Sequence, residues 1–303
     1  MAFSAFATGT AQEQAPRRKS KIALFLLLPG ILYLALFFLV PLISLLLTSF
    51  QQPVPNGDIG EYQTAFRWEN YTDAISTYGE HIVRSFVYAI LATIFALLFS
   101  YPLAYFIGVK ARRWPLIQNL MLVLVIAPFF ISFLLRTLAW KSILSDESAV
   151  ITGLKALALM APDAHFTGTP AAVVFGLTYN FIPFMTLPLY ATLERLDSRL
   201  LEAGSDLYAR PAMTFFKVTV PLSMSGIVSG VLLTFIPAAG DYINASQDFL
   251  GGTRTAMMGN TIESNFLVTL NYPAAASVSI ILMAVILVMV TVYIKRSGTE
   301  DLL

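Results

Sequence analysis

The chain has 303 residues, of which 57% are hydrophobic and 12% charged, with a mean hydropathy of +0.72 and a formal net charge of +1. That balance is too apolar for a soluble globule of this size. Cysteine is absent, which excludes disulfides, thiolate metal sites and cysteine nucleophiles, and the two histidines, His81 and His165, read as solvated loop residues rather than metal ligands.

The first twenty residues are rich in Ala, Thr and Gln and are expected to be disordered. Arg17, Arg18, Lys19 and Lys21 then lead into a charge-free run over 22–50. A basic start resembles a secretory signal, but this run is too long for one and lacks a small-residue cleavage site, so it predicts an uncleaved helix. Further charge-free runs cover 85–109, 114–135, 166–193, 218–240 and 264–294. A helix rising about 1.5 Å per residue needs about 20 residues to cross the hydrocarbon, so each run predicts one crossing. Trp68, Trp140 and Tyr272 fall near the predicted outer ends, where an aromatic belt belongs, and Arg136 after the third run is placed to snorkel to the outer interface.

Six crossings put both termini on one side of the membrane. Thirteen of the 19 Lys and Arg residues lie on that side, in the two tails, the loop carrying Lys110, Arg112 and Arg113, and the loop over 194–217. The positive-inside rule therefore predicts cytoplasmic termini. The expected architecture is an all-α, multi-pass membrane protein. It divides into a tail (1–21), a first helix with its outer loop (22–80), a core of five helices (81–295) and a second tail (296–303).

The longest cytoplasmic loop reads ERLDSRLLEAGSDLYARPAMTFFK. Leu196, Leu200, Ala203 or Gly204, and Leu207 recur at helical spacing among charged residues, which predicts a short amphipathic helix. It should break at Arg210, because the residue before a proline is pushed out of the α region, and Pro211 suits the first turn of a second helix. Such an elbow presents an apolar edge that a partner protein could grip; an interfacial helix lying on lipid headgroups accounts for the pattern as well.

At the acidic end of this loop, EAGSDLYARPAMTFFKVTVPLSMSGI resembles the EAA loop of type I ABC importer permeases, with Glu202, Ala203, Asp206, Leu207, Pro221, Gly226 and Ile227 matching its pattern. Gly204 stands where the family usually has a second Ala, and Tyr208 where it usually has Gly. LPGILYLALFFLVPLISLLLTSF, SYPLAYFIG, APFFISFLLRTLAW, TYNFIPFMTLPLYATLERLD and LGGTRTAMMGNTIESNFL look, in that order, like segments of the polyamine branch of the family, the spermidine/putrescine permeases of the B type.

The resemblance implies the type I importer permease fold, residence in a bacterial inner membrane, and a coupling loop over 194–221. Leu200, Glu202, Ala203, Gly204, Asp206, Leu207 and Tyr208 would dock it into a cytoplasmic ATPase. The implied assembly adds a homologous second permease, two ATPase copies and an extracytoplasmic substrate-binding protein, with no nucleic acid. ATP and magnesium would belong to the ATPase, and this chain would bind no cofactor or metal of its own and carry no catalytic residue. The sequence agrees in one respect: a P-loop requires Gly directly before its Lys, and none of the seven lysines follows a glycine.

A polyammonium cargo calls for carboxylates or aromatic faces along its path. Asp241 closes the fifth run beside Tyr242, and Tyr179 and Asn180 lie inside the fourth. Against these stand plainer roles, a helix cap in water for Asp241 and helix packing for Tyr179 and Asn180. Asp248 and Glu263 in the following outer loop could meet the binding protein or attract cations. Importers of phosphonate, thiamine or metal complexes keep the same architecture. A secondary transporter would instead show acids inside its spans, and the interiors of the six runs hold none.

Overall fold

The computed structural model describes residues 21–296. The expected tails at 1–20 and 297–303 lie outside the described residues. The chain divides into two compact units at Leu45/Leu46.

In the first unit, α1 (Lys21–Leu34) passes through a π-turn (Ala35–Leu39) into α2 (Val40–Thr48), whose last three residues fall past the division. Residues 25–48 form one apolar helix of 24 residues, long enough to cross a bilayer. Its side chains are exposed around the circumference, as in Phe25, Leu32, Phe37 and Leu47.

The second unit opens with a two-stranded ribbon, β1 (Gln52–Pro53) against β2 (Tyr62–Gln63), with Gln52 opposite Gln63. Asn70 Nδ2 ties the preceding chain down by donating to the carbonyls of Ser49 and Gln51, both at 2.9 Å. Trp68 stacks on Tyr71 at 5.0 Å between ring centroids.

From there α3 (Glu69–Tyr105) runs on through a π-turn (Phe106–Lys110) and a 3₁₀ turn (Ala111–Arg113), an unbroken 45-residue rod. It contains His81, which is therefore helical and half-buried against Tyr78 rather than a solvated loop residue. On α3, Ala89, Ala92, Ala96, Ser100 and Ala104 form a buried small-residue stripe, three and four positions apart. Small side chains let backbones approach closely where lipid offers no hydrophobic drive to association.

The stripe meets α7 (Pro170–Glu194), the most buried span, and α11 (Met224–Ala239) packs against both. A Cβ on Gly226 of α11 would fall 2.9 Å from the carbonyl oxygen of Pro188 and 2.6 Å from Thr192 Oγ1 on α7. Only glycine permits that approach. The last span, α13 (Tyr272–Arg296), closes the bundle over α3, and Tyr272 packs edge-on against Tyr62 and Phe266.

Two of the expected crossings are bent. Over 114–135 the chain forms α4 (Pro115–Ile126) and a 3₁₀ turn (Ala127–Phe130), then swings by 98° into α5 (Phe133–Ile143). Pro128 has no N–H to continue the ladder, and Ile131 and Ser132 are extended, so the helix cannot carry through. The fifth run bends by 67° at Ser223, between Pro211–Leu222 and α11. Tyr101 of α3 braces that bend, its hydroxyl 2.7 Å from Ser223 Oγ. Among the described residues, four helices are long and apolar enough to cross a membrane, or up to six spans if each bent pair is counted as one.

The turn before α5 overturns the expectation for Arg136. It lies within α5, 8% exposed, its guanidinium 5.6 Å from the Phe133 ring, with Nε and Nη1 unpartnered among the described residues. Trp140 likewise points inward, edge-on to Phe175 and Tyr179 at 4.8 and 5.1 Å.

Candidate functional site

The loop after α7 folds into the predicted elbow. α8 (Ser198–Asp206) and α9 (Pro211–Thr214) are separated by a turn in which Arg210 is extended, with φ −60° and ψ 145°, as its position before proline requires. Tyr208 ends α8 in the left-handed region, with φ +57°. The amides of Leu207 and Ala209 close the turn on the carbonyls of Ala203 and Gly204. A left-handed residue at a helix C-terminus is ordinarily Gly, because a Cβ there costs about 1–2 kcal/mol. The usual Gly is thus explained by backbone conformation, and Tyr208 holds that conformation with its ring 97% exposed. Gly204 faces α9: a Cβ there would sit 2.9 Å from Thr214 Oγ1, so the alanine usual at this position would crowd the elbow.

Leu200, Leu207, Tyr208 and Met213 leave an apolar ridge on the elbow, with Glu202, Ala203 and Asp206 also exposed. An exposed apolar edge of this kind is a candidate docking surface. Its base is fixed by Arg112, which sequence reasoning treats only as one positive charge among thirteen. The guanidinium donates to the carbonyls of Leu193 at 2.7 Å, Leu196 at 3.0 Å and Glu194, while Nε donates to Gly108. Leu193 and Glu194 are the last two residues of α7, whose carbonyls lack the i+4 amides of a continuing helix, so one side chain helps cap α7 and ties the start of the elbow to the turn that follows α3.

The second constellation lies beside the N-terminal half of α7. Between α11 and α12 (Met258–Glu263) the chain runs without regular helix over 240–257, yet Asp241, Asn244, Ala245, Leu250 and Gly251 are buried. Asn180 sits about 16 Å along α7 from its N-cap Thr169, well inside a helix long and apolar enough to cross a membrane. Irregular backbone at that depth survives only where protein satisfies it. Asn180 Nδ2 donates to Thr137 Oγ1 of α5 and to Asn244 Oδ1, each at 3.2 Å. Asn244 in turn donates to both carboxylate oxygens of Asp241, through its backbone N–H at 2.8 Å and its amide at 3.1 Å. At Gly251 a Cβ would fall 2.0 Å from the Ala245 carbonyl oxygen, so the LGG segment is where this strap folds against itself.

Two of the four path candidates, Asp241 and Asn180, are therefore joined through Asn244, a residue that carries no sequence motif. Tyr179 is half-buried and packs on Trp140; Tyr242 is 46% exposed, and its carbonyl accepts from Asn260. Asp241 and Arg136 are the two buried charged side chains among the described residues. Asp248 and Glu263 line a cleft of about 630 Å³ with Tyr78, His81, Asn260 and Asn265. Burial, and then the nearby Asp248 charge, raises the Glu263 carboxyl above its ordinary value. Between α5 and α7 a hydrogen bond from His165, with Lys155 beside it, lowers the Asp146 carboxyl.

Residues 100–296 match the family described as binding-protein-dependent transport system inner membrane component. The spermidine/putrescine transport system permease protein PotB of Haemophilus influenzae is 35% identical over 88% of this chain and 90% of its own length. PotB of Escherichia coli is 34% identical over 88% and 94%. The Escherichia coli inner membrane ABC transporter permease protein YdcU is 28% identical over 93% and 92%. Among solved structures, a bacterial alginate ABC transporter in complex with a pentasaccharide-bound periplasmic protein aligns with a TM-score of 0.64 at 17% identity, covering 92% of this chain and 94% of that one. The MetNI methionine ABC transporter aligns with a TM-score of 0.53 at 18% identity, covering 72% and 93%.

Proposed function

The chain belongs to the family of inner membrane components of binding-protein-dependent transport systems, and from that premise we propose that it carries polyamines, spermidine and putrescine, into the cytoplasm. It is a permease subunit rather than an enzyme, and ATP is hydrolysed by a separate subunit. In this reading both termini and the elbow face the cytoplasm, and α8 docks into one of two ATPase copies. A homologous second permease completes the path, and a periplasmic binding protein delivers cargo. The chain itself holds no cofactor; ATP and magnesium stay with the ATPase.

The observation that carries the proposal is the elbow, an exposed apolar ridge whose base Arg112 locks to both α3 and α7. ATP binding drives a permease only if the ATPase dimer prefers one spacing of the elbows, and a loosely hinged loop would absorb that preference. A rigid base passes it to the two helices at the bundle's centre. For the cargo, Asp241 supplies the buried carboxylate: an ammonium group replaces the Asn244 amide on it, with Asn180 and the aromatic faces of Tyr179 and Tyr242 beside the path.

Single cysteines placed along 200–209 should crosslink to the ATPase in the assembled complex. Labelled spermidine and putrescine should enter cells only when the permease is present. Crosslinks to lipid alone defeat the coupling role, and uptake no greater than in a permease-deleted background defeats the cargo.

A further inference from the structure

A groove of about 770 Å³ opens between the end of α3 and α8, and its lining is divided in character. Phe106 and Trp114 stand at the ends of the apolar helices α3 and α4, 40% and 54% exposed. Those ends mark where hydrocarbon gives way to headgroups, the level at which tryptophan concentrates. Beside them Lys110 and Arg113 are exposed and make no ion pair or hydrogen bond among the described residues. Arg112 adds a third positive charge, immobilised on backbone carbonyls, and Glu202 of α8 is the one acid in the lining.

We propose that this groove binds the headgroup of an anionic phospholipid, its phosphate between Lys110 and Arg113 and its acyl chains against Phe106 and Trp114. Three positive charges against one negative select an anion, and the apolar half of the groove selects an amphiphile over a soluble phosphate. The ATPase is a poorer occupant, because the groove and the docking ridge lie on different faces of α8. At about 100° per residue, Ser198 and Glu202 point about half a turn away from Leu200 and Ala203, so Glu202, which the resemblance groups with the docking residues, lines the groove instead. A lipid so placed wedges between α3 and the elbow, and it makes the local lipid composition an input to coupling.

The complete assembly, extracted in mild detergent, would be measured by native mass spectrometry with phosphatidylglycerol and phosphatidylethanolamine added in equal amount. Wild type should retain phosphatidylglycerol preferentially. The double variant Lys110→Gln with Arg113→Gln should lose that retention about tenfold at an unchanged melting temperature. Lys295→Gln, outside the groove, should retain it as wild type does. Equal retention of the two lipids, retention unaffected by the double variant, or equal competition by free glycerol phosphate each overturns the site. So does a photo-crosslinker at position 113 that captures the ATPase in place of lipid. Lipid retention is read without transport, so this result stands apart from the cargo and coupling assays.

Discussion

The Asn180 amide donates to Asn244 Oδ1 at 3.2 Å, joining the middle of the most buried helix to a strap that has no regular structure. On the far side Asn244 holds the Asp241 carboxylate through both its backbone N–H and its side-chain amide, so a buried acid is satisfied by groups of the strap itself. Replacing Asn244 by Ala removes the 3.1 Å amide contact to Asp241 and leaves Asn180 with one acceptor. Loss of one partner from a buried polar pair costs about 1–3 kcal/mol. The purified assembly should melt at a lower temperature, and an unchanged melting point would show that the network is dispensable.

Asp241→Asn keeps the shape of the side chain and the Asn244 backbone contact while deleting the charge. If an ammonium group of the cargo exchanges onto this carboxylate, uptake of spermidine should fall at least about tenfold, the worth of one charge-assisted hydrogen bond. ATPase activity of the assembly should survive. Wild-type uptake by this variant would remove Asp241 from the path.

At the elbow, Arg112→Lys retains the positive charge and cannot reproduce a guanidinium bonded to four carbonyls. ATP hydrolysis should then persist while transport per ATP drops several-fold. Equal loss of both activities would instead indicate failure of assembly.

Tyr208→Gly should raise stability by up to about 1 kcal/mol by removing a side chain from the left-handed region, less the entropy that glycine adds to the unfolded chain. Tyr208→Val should do the reverse, because a β-branched residue is the least tolerant of φ +57°. Thermal melting of the two variants against wild type decides the order. If Tyr208→Gly also abolishes crosslinking to the ATPase, the exposed ring is itself a docking contact.

The cleft lined by Asp248 and Glu263 gives a pH dependence. Burial raises the Glu263 carboxyl, so on acidification it takes up a proton earlier than an ordinary glutamate, and the cleft becomes less negative. Cation capture should weaken on acidification, seen as a rising KM for uptake. Glu263→Gln should flatten that dependence, and a KM slope unchanged in the variant would place the titrating group elsewhere.

Much of this molecule is written along the chain. Charge-free runs announce the spans because lipid accepts nothing else, and the helix-breaking pair Arg210 and Pro211 announces the elbow because the steric rule is local. The EAA loop and the order of the flanking segments identify the family. Local rules also predict the end of a span at a proline, but not the angle that follows, and so the 98° turn before α5 stayed hidden, and with it the inward course of Arg136 and Trp140.

Tertiary structure alone decided which polar groups meet. Arg112 and Leu193 are 81 positions apart, Asn180 and Asn244 are 64 apart, and no periodicity reports such pairings. They follow from close packing of α3, α7 and α11 on small residues, which brings distant backbones near enough that the remaining polar groups must satisfy one another in the absence of water.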